Sequence, residues 1–324
     1  MNIKDGKKTA LICGVSGQDG AYLAQLLLIK GYRVIGTSRD AQANTFQNLR
    51  SLNIEKRITI ISMTLTDFRS VLQVLTKYKP TEVYNLAGQS SVGLSFEQPV
   101  ETLESICIGT LTLLEAIRFC DKGIRLYNAG SSECFGDTNG KPANEQTSFR
   151  PRSPYGVAKA TSIWEVANYR EAYGLYACSG ILFNHESPIR SDRFVTQKIV
   201  RSACRIASGG DERLSLGRLD IQRDWGWAPE YVEAMWKMLQ MQNPEDIVIA
   251  TGETNSLEQF VDIVFETLGL NWKKHVDVDQ SLIRPSDITI SRANPAKATS
   301  LLGWTAKIHM TEMIAHMINS ARKT

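Results

Sequence analysis

The stretch Thr9-Ala-Leu-Ile-Cys-Gly-Val-Ser-Gly-Gln-Asp-Gly20 decides the fold of this chain. It begins with a short apolar run, which is typical of a buried parallel strand. Three glycines follow at the spacing G-x-x-G-x-x-G, and the next segment, Tyr22-Leu-Ala-Gln-Leu-Leu-Leu28, predicts a helix. A glycine turn between a strand and a helix lets the backbone approach a pyrophosphate, whose charge is met by the N–H groups at the helix start. The stretch therefore predicts a dinucleotide-binding unit.

The following residues alternate strands and helices in the same manner. Further strands are predicted at 32–38, 58–62, 82–88, 124–130 and 177–183. Helices are predicted at 67–78, with Asp67 as the N-cap, and then at 100–120 and 155–173. This alternation indicates an α/β fold with a Rossmann-type doubly wound parallel sheet, followed by a smaller C-terminal substrate-binding domain.

Composition excludes several classes of protein. The 324 residues are 43% hydrophobic and carry a net charge of +3, which is too small to indicate a nucleic-acid partner. We expect no membrane span, because no apolar run approaches about 20 residues, and no secretory signal in the charged residues 1–8. The cysteines, at positions 13, 107, 120, 134, 178 and 204, form no C-x-x-C pair and have no His cluster nearby. The pattern argues against a metal site and favours a reducing, cytoplasmic location.

The end of the second predicted strand bears on the choice of dinucleotide. An acidic residue at this place grips the ribose 2′-hydroxyl of NAD, whereas an arginine accommodates the 2′-phosphate of NADP. The chain has Thr37, Ser38 and Arg39 here, with Asp40 one place later. The sequence thus favours NADP, while Asp40 leaves NAD open.

A second group of chemically active side chains runs from Ser131-Ser132-Glu133 to Tyr155-Gly-Val-Ala-Lys159. Residues four apart on a helix share a face, so Lys159 can lie beside Tyr155. A free tyrosine has a pKa of about 10, and an adjacent ammonium favours the phenolate. The spacing therefore predicts Tyr155 as a general base whose pKa is lowered by Lys159. Ser131 follows a strand at the edge of the sheet where ligands bind, so it could hold a substrate hydroxyl against that base.

Beyond residue 184 the alternation ends and cations accumulate. They are Arg190, Arg193, Lys198, Arg201, Arg205, Arg218 and Arg223. A region that meets a phosphorylated substrate needs such side chains. For Arg201 and Arg213 we expect only a solvated position on the surface.

Longer segments of the sequence occur together in a pattern that points to a family. They are Gly14-Val-Ser-Gly-Gln-Asp-Gly20, Ser91-Val-Gly-Leu-Ser-Phe-Glu-Gln-Pro99, Ser131-Ser-Glu-Cys-Phe-Gly136, Ser153-Pro-Tyr-Gly-Val-Ala-Lys159, Leu182-Phe-Asn-His-Glu-Ser-Pro188, Phe194-Val-Thr-Gln-Lys198 and Arg223-Asp-Trp-Gly226. Over almost its whole length the chain resembles the extended short-chain dehydrogenase/reductase superfamily and, within it, the GDP-mannose 4,6-dehydratase family. The Asn-His-Glu-Ser-Pro segment followed by Phe-Val-Thr carries the narrower resemblance.

The resemblance implies a redox-neutral dehydration of a GDP-sugar with NADP as a temporary hydride store. Its product is a 4-keto-6-deoxy sugar nucleotide, the first step toward GDP-fucose, GDP-rhamnose and related deoxysugars. Tyr155 would deprotonate the C4 hydroxyl, Glu133 would remove the C5 proton, and Lys159 would hold the nicotinamide ribose. At position 132 the related dTDP-glucose enzymes have an aspartic acid, whereas this chain has Ser132, as the GDP-mannose enzymes do.

The family's site residues carry over by position. The catalytic group is Ser131, Ser132, Glu133, Tyr155 and Lys159. The cofactor group is Gly14, Gly17, Gln18, Asp19, Gly20, Arg39, Leu86, Ala87, Tyr155 and Lys159. The substrate group is Ser90, Asn184, Arg190, Val195, Lys198, Leu216, Arg223 and Arg284, of which the last two arginines suit a pyrophosphate. His185 is left open as a contact or a packed motif residue.

The resemblance also implies domains and assembly. Residues 1–183 form the NADP-binding Rossmann domain, to which part of 225–255 returns, and residues 184–324 mainly form the GDP-sugar-binding domain. Relatives form dimers or tetramers, so a homodimer or homotetramer is expected, with the loop 40–48 able to reach a neighbouring cofactor.

Some positions depart from the family pattern and keep alternatives open. Thr64 replaces a carboxylate expected at the adenine, and Trp227 replaces a histidine near the substrate. A dehydratase of another GDP-sugar, such as GDP-heptose, is therefore an alternative. A GDP-4-keto-6-deoxymannose reductase is a second, which Glu133 argues against. A non-catalytic NADP-sensing regulator is a third, and it need not keep Tyr155, Lys159 and Glu133 together.

Overall fold

The computed structural model describes residues 7–322. The prediction that the opening segment is not a secretory signal concerns residues 1–8, of which 1–6 lie outside the described residues. Within 7–322, no helix has the length and apolar character that crossing a membrane requires. The strands are β1 (Thr9–Cys13), β2 (Arg33–Ser38), β3 (Thr59–Ser62), β4 (Glu82–Asn85), β5 (Arg125–Ser131), β6 (Ala177–Leu182), β7 (Asn184–Glu186), β8 (Leu214–Leu216), β9 (Gln222–Arg223), β10 (Trp225–Trp227), β11 (Ile247–Ile249), β12 (Asn255–Ser256) and β13 (Val276–Val278).

Seven of these strands form one sheet in the order β11-β6-β5-β4-β1-β2-β3. Every pairing in the sheet is parallel. The chain runs outward from β1 in both directions, so a crevice opens at the carboxyl ends of β1 and β4, where the strand order reverses. The predicted doubly wound parallel sheet is confirmed.

Helices cover both faces of the sheet and build the C-terminal region. They are α1 (Gln18–Ile29), α2 (Gln47–Ser51), α3 (Phe68–Tyr78), α4 (Val92–Glu97), α5 (Pro99–Leu103), α6 (Gly109–Cys120), α7 (Pro154–Tyr173), α8 (Val195–Ala207), α9 (Ala228–Met238), α10 (Leu257–Thr267), α11 (Ala296–Leu302) and α12 (Met310–Ala321). Asp67 caps α3 as predicted, because its carboxylate accepts hydrogen bonds from the backbone of Arg69 and Ser70. The helix predicted over 100–120 consists of α5, a π-helical turn at Glu104–Ile108, and α6.

Several apolar clusters hold these layers. In the sheet, β1 is fully buried on both faces from Ala10 to Cys13, as a central parallel strand requires. Another cluster lies in the C-terminal region, where α8, α10 and α12 pack around Phe260 and Phe265. Both phenylalanine side chains are fully buried.

Three short ladders bring the C-terminal residues over the carboxyl edge of the sheet. Strand β10 pairs with β7, β12 with β9, and β13 with β8. The segment after Arg284 also runs along β9, since the backbone N–H of Gln222 donates to the carbonyl of Thr289 at 2.8 Å. Residues far apart in sequence thereby face the ends of β4, β5 and β6.

Candidate active site

A cavity of about 400 Å³ lies at the carboxyl ends of β4, β5 and β6. The five predicted catalytic residues line it: Ser131, Ser132, Glu133, Tyr155 and Lys159. The eight predicted substrate residues line it as well: Ser90, Asn184, Arg190, Val195, Lys198, Leu216, Arg223 and Arg284. Asp19 and Leu86, from the predicted cofactor group, also face it. One cavity thus gathers side chains from all three predicted groups.

The remaining glycine-turn residues and Ala87 surround the start of α1. Gly14 has a φ of +83°, and a Cβ there would lie 2.9 Å from the carbonyl oxygen of Leu86. A Cβ on Gly20 would collide with the carbonyl of Gly14. The backbone conformation and the close approach of β1, β4 and α1 therefore require glycine at these two positions.

The N-terminus of α1 fits a phosphate. Its N-cap is Gly17, and no side chain of the described residues caps it. The first N–H groups of a helix lack intrahelical partners and attract anions. Gln18 is engaged elsewhere: its Nε2 donates to the carbonyl of His185 at 3.1 Å, and its Oε1 accepts from Ser187 Oγ at 2.7 Å. Gln18 therefore connects the glycine turn to β7 and to the residue that follows this strand.

Tyr155 and Lys159 lie one turn apart at the start of α7. Ser153 caps this helix by accepting a hydrogen bond from the backbone of Gly156 at 3.0 Å. Lys159 Nζ lies 5.9 Å from the centre of the Tyr155 ring and donates to the carbonyl oxygen of Ala129 at 2.7 Å. Burial lowers the pKa of Lys159 to about 8. The predicted pair is present, with its ammonium directed to the end of β5.

The electrostatic prediction for Tyr155 differs from the structure. The sequence predicts that Lys159 lowers the pKa of Tyr155, yet its pKa is raised well above the usual value. Burial of the phenol is the main cause, and it outweighs a hydrogen bond with Ser131 that favours the phenolate. Sequence spacing could place the two side chains together, but it could not give the extent of burial.

Glu133 faces Tyr155 from the single 3₁₀ turn that follows β5, Ser132–Cys134. A Cβ on Gly156 would lie 2.8 Å from the Glu133 carbonyl oxygen, so glycine permits the helix start to approach this turn. Burial raises the pKa of the Glu133 carboxyl, while Arg223 and Arg284 oppose the rise. A carboxyl with a raised pKa is suited to accept and release a proton near neutral pH.

His185, which the sequence left open, is a buried partner of Asp19. Its Nε2 lies 3.0 Å from Oδ2 of Asp19, and its Nδ1 lies 2.7 Å from the carbonyl oxygen of Phe183. Its ring stacks on Tyr231 with the ring centres 4.5 Å apart. Burial alone would lower the pKa of His185, but the Asp19 carboxylate outweighs it and the pKa is raised. Asp19 is therefore engaged with protein at the cavity wall.

A second charged group in the cavity lining consists of two arginines and one aspartate. Arg223 is 4% exposed, and its Nη2 donates to Oδ1 of Asp287 at 3.0 Å. Arg284 Nη1 lies 3.6 Å from the same oxygen. The sequence did not predict Asp287 as a site residue, although it follows Arg284 by three places in an irregular segment. Only the pairing of that segment with β9 shows that it belongs here.

Other predicted cations divide into two groups. Lys198 donates to the carbonyl of Ser215 at 2.7 Å at the cavity wall, and the Arg190 guanidinium lies 3.5 Å from the ring centre of Phe194. Arg201 and Arg213 are about half exposed and pair with surface aspartates, which confirms the predicted solvated positions.

Arg39 and Asp40 lie outside the cavity lining, at the end of β2. Arg39 is 79% exposed and its Nη1 pairs with Glu101 at 3.0 Å. The Asp40 carboxylate accepts hydrogen bonds from the backbone of Gln42 and Ala43 at 2.8 and 3.1 Å. Thr64 donates its backbone N–H to Ser70 Oγ at 3.1 Å. Asp40 therefore closes its own turn, while the Arg39 guanidinium is held only by an exposed ion pair.

The parallel sheet, the glycine turn and the Tyr155/Lys159 pair beside a strand-end serine define a short-chain dehydrogenase/reductase of the extended class. The particular family follows from comparison with known sequences. A family model described as GDP-mannose 4,6 dehydratase matches residues 11–317. The chain belongs to this family.

Curated relatives agree with this assignment, and solved structures share the fold. The chain is 45% identical over 323 residues to GDP-mannose 4,6 dehydratase 1 of Arabidopsis thaliana, covering 97% of this chain and 89% of the relative. It is 42% identical to GDP-mannose 4,6-dehydratase of Vibrio cholerae, covering 96% and 93%. Its fold resembles Thermus thermophilus UDP-glucose 4-epimerase in complex with NAD, with a TM-score of 0.85 at 26% identity over 97% and 99%. The RMD protein of Pseudomonas aeruginosa complexed with NADPH gives a TM-score of 0.82 at 19% identity over 98% and 99%, a likeness of fold alone.

Proposed function

We propose that this chain is a hydro-lyase that converts GDP-D-mannose to GDP-4-keto-6-deoxy-D-mannose with a tightly held NADP. The observation that carries the proposal is one cavity whose lining includes Tyr155, Lys159 and Glu133 together with Arg223 and Arg284. A hexose can reach the first group while its diphosphate meets the second. The relatives' names supply the guanine nucleotide and the mannose.

The residues at the strand end perform the proton transfers. Tyr155 takes the proton of the C4 hydroxyl, with the Ser131 hydroxyl holding that oxygen in place. A bound NADP⁺ supplies a temporary store for the hydride that leaves C4 and returns at C6. Glu133 removes the C5 proton, which the adjacent C4 ketone has made acidic, and that proton leaves with the C6 hydroxyl as water. Ser132 lines the cavity where it can hydrogen-bond that hydroxyl. The proton held by Tyr155 restores C5–H, and because the hydride returns to C6 the reaction consumes no reductant.

Side chains around the glycine turn would hold the dinucleotide. The uncapped start of α1 meets the pyrophosphate, and Lys159 meets the nicotinamide ribose. NADP is favoured over NAD because the Asp40 carboxylate is occupied by its own turn. Arg39 at 79% exposure is free to exchange Glu101 for a 2′-phosphate.

We further propose that the division into domains follows the two ligands. Residues 1–183 would bind NADP, and residues 184–324 would mainly bind the GDP-sugar. The supporting observation is that all the proposed substrate residues except Ser90 come after residue 183. Part of 225–255 belongs to the first domain in this division, because β11 lies beside β6 in the central sheet.

A homodimer or homotetramer is also proposed. Helices α5 and α7 pack together, and they leave apolar side chains in solvent. Val100 is 66% exposed on α5, while Val157 and Trp164 are 42% and 64% exposed on α7. The two α7 residues are seven apart and so share a helix face. A second copy of the chain would cover this surface.

The six unpaired cysteines support a cytoplasmic location.

Incubation of the purified protein with GDP-mannose, without added reductant, tests the function. Mass spectrometry is expected to show the loss of one water with no net consumption of NADP(H). The Tyr155→Phe variant, purified with its cofactor, serves as the matched control and should leave the substrate unchanged. An unchanged substrate with the wild-type protein would contradict the proposal and direct the search to other GDP-sugars, beginning with GDP-heptose.

A further inference from the structure

The strongest unassigned feature of the cavity is the carboxylate of Asp287. We propose that Asp287 is a positioning residue: it fixes Arg223 and Arg284 side by side as a clamp for the substrate diphosphate and tunes the charge that Glu133 faces. The inference rests on the proposed function, since it assumes that the substrate's diphosphate lies against these two arginines.

The geometry of Asp287 supports a fixed carboxylate. Its side chain is only 14% exposed. The Oδ1 atom accepts hydrogen bonds from Arg223 Nη2 and from the backbone N–H of Ile288, both at 3.0 Å. Ile288 is 1% exposed, so the backbone that carries this carboxylate is anchored in the interior. A short, anchored side chain with charged partners can hold a guanidinium in one orientation.

Arg223 has donors to spare for a ligand. Its Nη1 donates to the carbonyl oxygen of Gln222 at 2.9 Å, and its Nη2 donates to Asp287. A guanidinium carries five N–H groups in a fixed fork. The two bonds to protein set the plane of the fork, and the other N–H groups remain for the cavity that Arg223 lines. Bidentate binding of a phosphate needs such a preset plane.

The two arginines interact with two carboxyl groups. One is the Asp287 carboxylate, and the other is Glu133, whose burial raises its pKa and so disfavours its charged form. Glu133 senses the same groups, because Arg223 and Arg284 lower its pKa and Asp287 raises it. The other titratable groups that interact with Glu133 are Tyr155 and Cys134. Asp287 thus contacts the substrate-binding arginines and also influences the proposed C5 base.

Two roles of Asp287 predict opposite effects on nucleotide binding. If the carboxylate only opposed the arginine charge, its removal would strengthen the binding of an anion. If it holds the arginines in place, its removal weakens binding although the local charge becomes more positive. The sign of the change therefore separates positioning from simple electrostatics.

The experiment compares Asp287→Asn and Asp287→Glu with the wild-type holoenzyme. Calorimetric titration with GDP is expected to give a Kd about tenfold weaker or more for Asp287→Asn. The KM for GDP-mannose should rise more than kcat falls, and the acidic limb of the kcat profile should move to lower pH, since Glu133 loses a neighbouring negative charge. Asp287→Glu should restore most of the binding. Asp277→Asn, which breaks the exposed pair with Arg213, is the matched control and should change none of these quantities.

Several results would overturn the inference. One is GDP binding by Asp287→Asn that is equal to or tighter than that of the wild type, and another is a wild-type protein that does not bind GDP. A third is a merely structural effect of Asp287→Asn. In that case the variant has a lower melting temperature and loses its cofactor, the acidic limb of its kcat profile does not move, and Asp287→Glu does not restore binding. Failure of the proposed function is separate, because wild-type turnover of GDP-mannose decides it and GDP binding does not.

Discussion

The imidazole of His185 lies between two oxygen acceptors, one of them the carboxylate of Asp19. Nε2 lies 3.0 Å from Asp19 Oδ2, and Nδ1 lies 2.7 Å from the carbonyl oxygen of Phe183. Both partners are acceptors, and the raised pKa of His185 favours the doubly protonated ring, which can donate to both. This ion pair joins the first turn of α1 to β7. It therefore connects the proposed cofactor turn to the segment that begins the substrate-binding region.

The Asp19–His185 pair predicts a defined pH dependence of stability. The pKa of Asp19 is lowered to about 2, because the interaction with His185 outweighs the effect of burial. The contribution of Asp19 to the free energy of unfolding is therefore present above its usual pKa of 3.8 and is lost as the pH falls toward 2. His185 has its pKa raised, so its contribution is present below its usual 6.5 and is lost as the pH rises through the raised value. Between these limits Asp19→Asn should cost about 2 kcal/mol of unfolding free energy.

Urea denaturation of both proteins across pH 2 to 9 measures this difference. The exposed Asp211→Asn is the control and should unfold like the wild type at every pH. A difference between the wild type and Asp19→Asn that does not change with pH would exclude an ion pair.

Two glycines of the same turn are expected to behave differently. A Cβ at Gly20 collides with the carbonyl of Gly14, so Gly20→Ala should destabilise the fold by about 1–3 kcal/mol. A Cβ at Gly17 meets that oxygen at 3.4 Å, an ordinary contact, but it lies at the uncapped start of α1. Gly17→Ala should therefore fold normally and bind NADP less tightly. Melting temperature and cofactor titration distinguish the two, and equal losses of stability would refute the distinction.

Tyr155 should stay protonated at neutral pH in the absence of cofactor. Burial raises its pKa above the usual 10, so a phenolate absorbance from this residue is expected only in strongly alkaline solution. The difference between the ultraviolet titrations of the wild type and Tyr155→Phe isolates its signal from the other tyrosines. Addition of NADP⁺ should shift that signal to lower pH, because the positive nicotinamide favours the phenolate. A cofactor-free phenolate at pH 7 would contradict the structure.

Glu133→Gln should stop turnover without preventing folding. The amide keeps the size of the side chain but cannot accept the C5 proton, so kcat should fall by roughly 10²–10⁴-fold. Bound NADP and the Kd for GDP should remain close to those of the wild type. Glu266→Gln, on an exposed position of α10, provides the control with unchanged kcat. Turnover by Glu133→Gln at the wild-type rate would remove Glu133 from the mechanism.

Arg39 is predicted to set the preference between cofactors. Its guanidinium is exposed and forms an ion pair with Glu101. The Arg39→Ala variant should therefore bind NADP about tenfold more weakly and bind NAD with nearly unchanged affinity. Fluorescence titration of both dinucleotides into cofactor-free protein measures the ratio. Arg213→Ala, at a second exposed ion pair, should preserve it. An unchanged preference in Arg39→Ala would assign the 2′-phosphate to other residues.

The parts of the fold that the sequence predicts are those with strong local signals. The apolar run of β1 and its glycine turn have one plausible structure, and Asp67 before α3 is a direct capping signal. Strand β11 has only three residues and makes its contacts with β6, far away in the chain. Such a strand cannot be separated from a buried helix segment by periodicity. Periodicity therefore does not reveal this strand, and only the resemblance implied that part of 225–255 returns to the first domain.

The site divides in the same way. Tyr155 and Lys159 are four residues apart on one helix, so their proximity is local and predictable. Asp287 reaches Arg223 only because the segment 287–291 pairs with β9, a relationship that no sequence spacing records. The raised pKa of Tyr155 likewise depends on burial by residues from several elements.

The turnover of GDP-mannose that carries deuterium at C4 is the direct test of the hydride return. We expect a product that has lost one water and carries the deuterium at C6, because the hydride leaves C4 and returns to the same sugar. Deuterium recovered in free NADPH or in solvent, or a product that keeps its C6 hydroxyl, would contradict it.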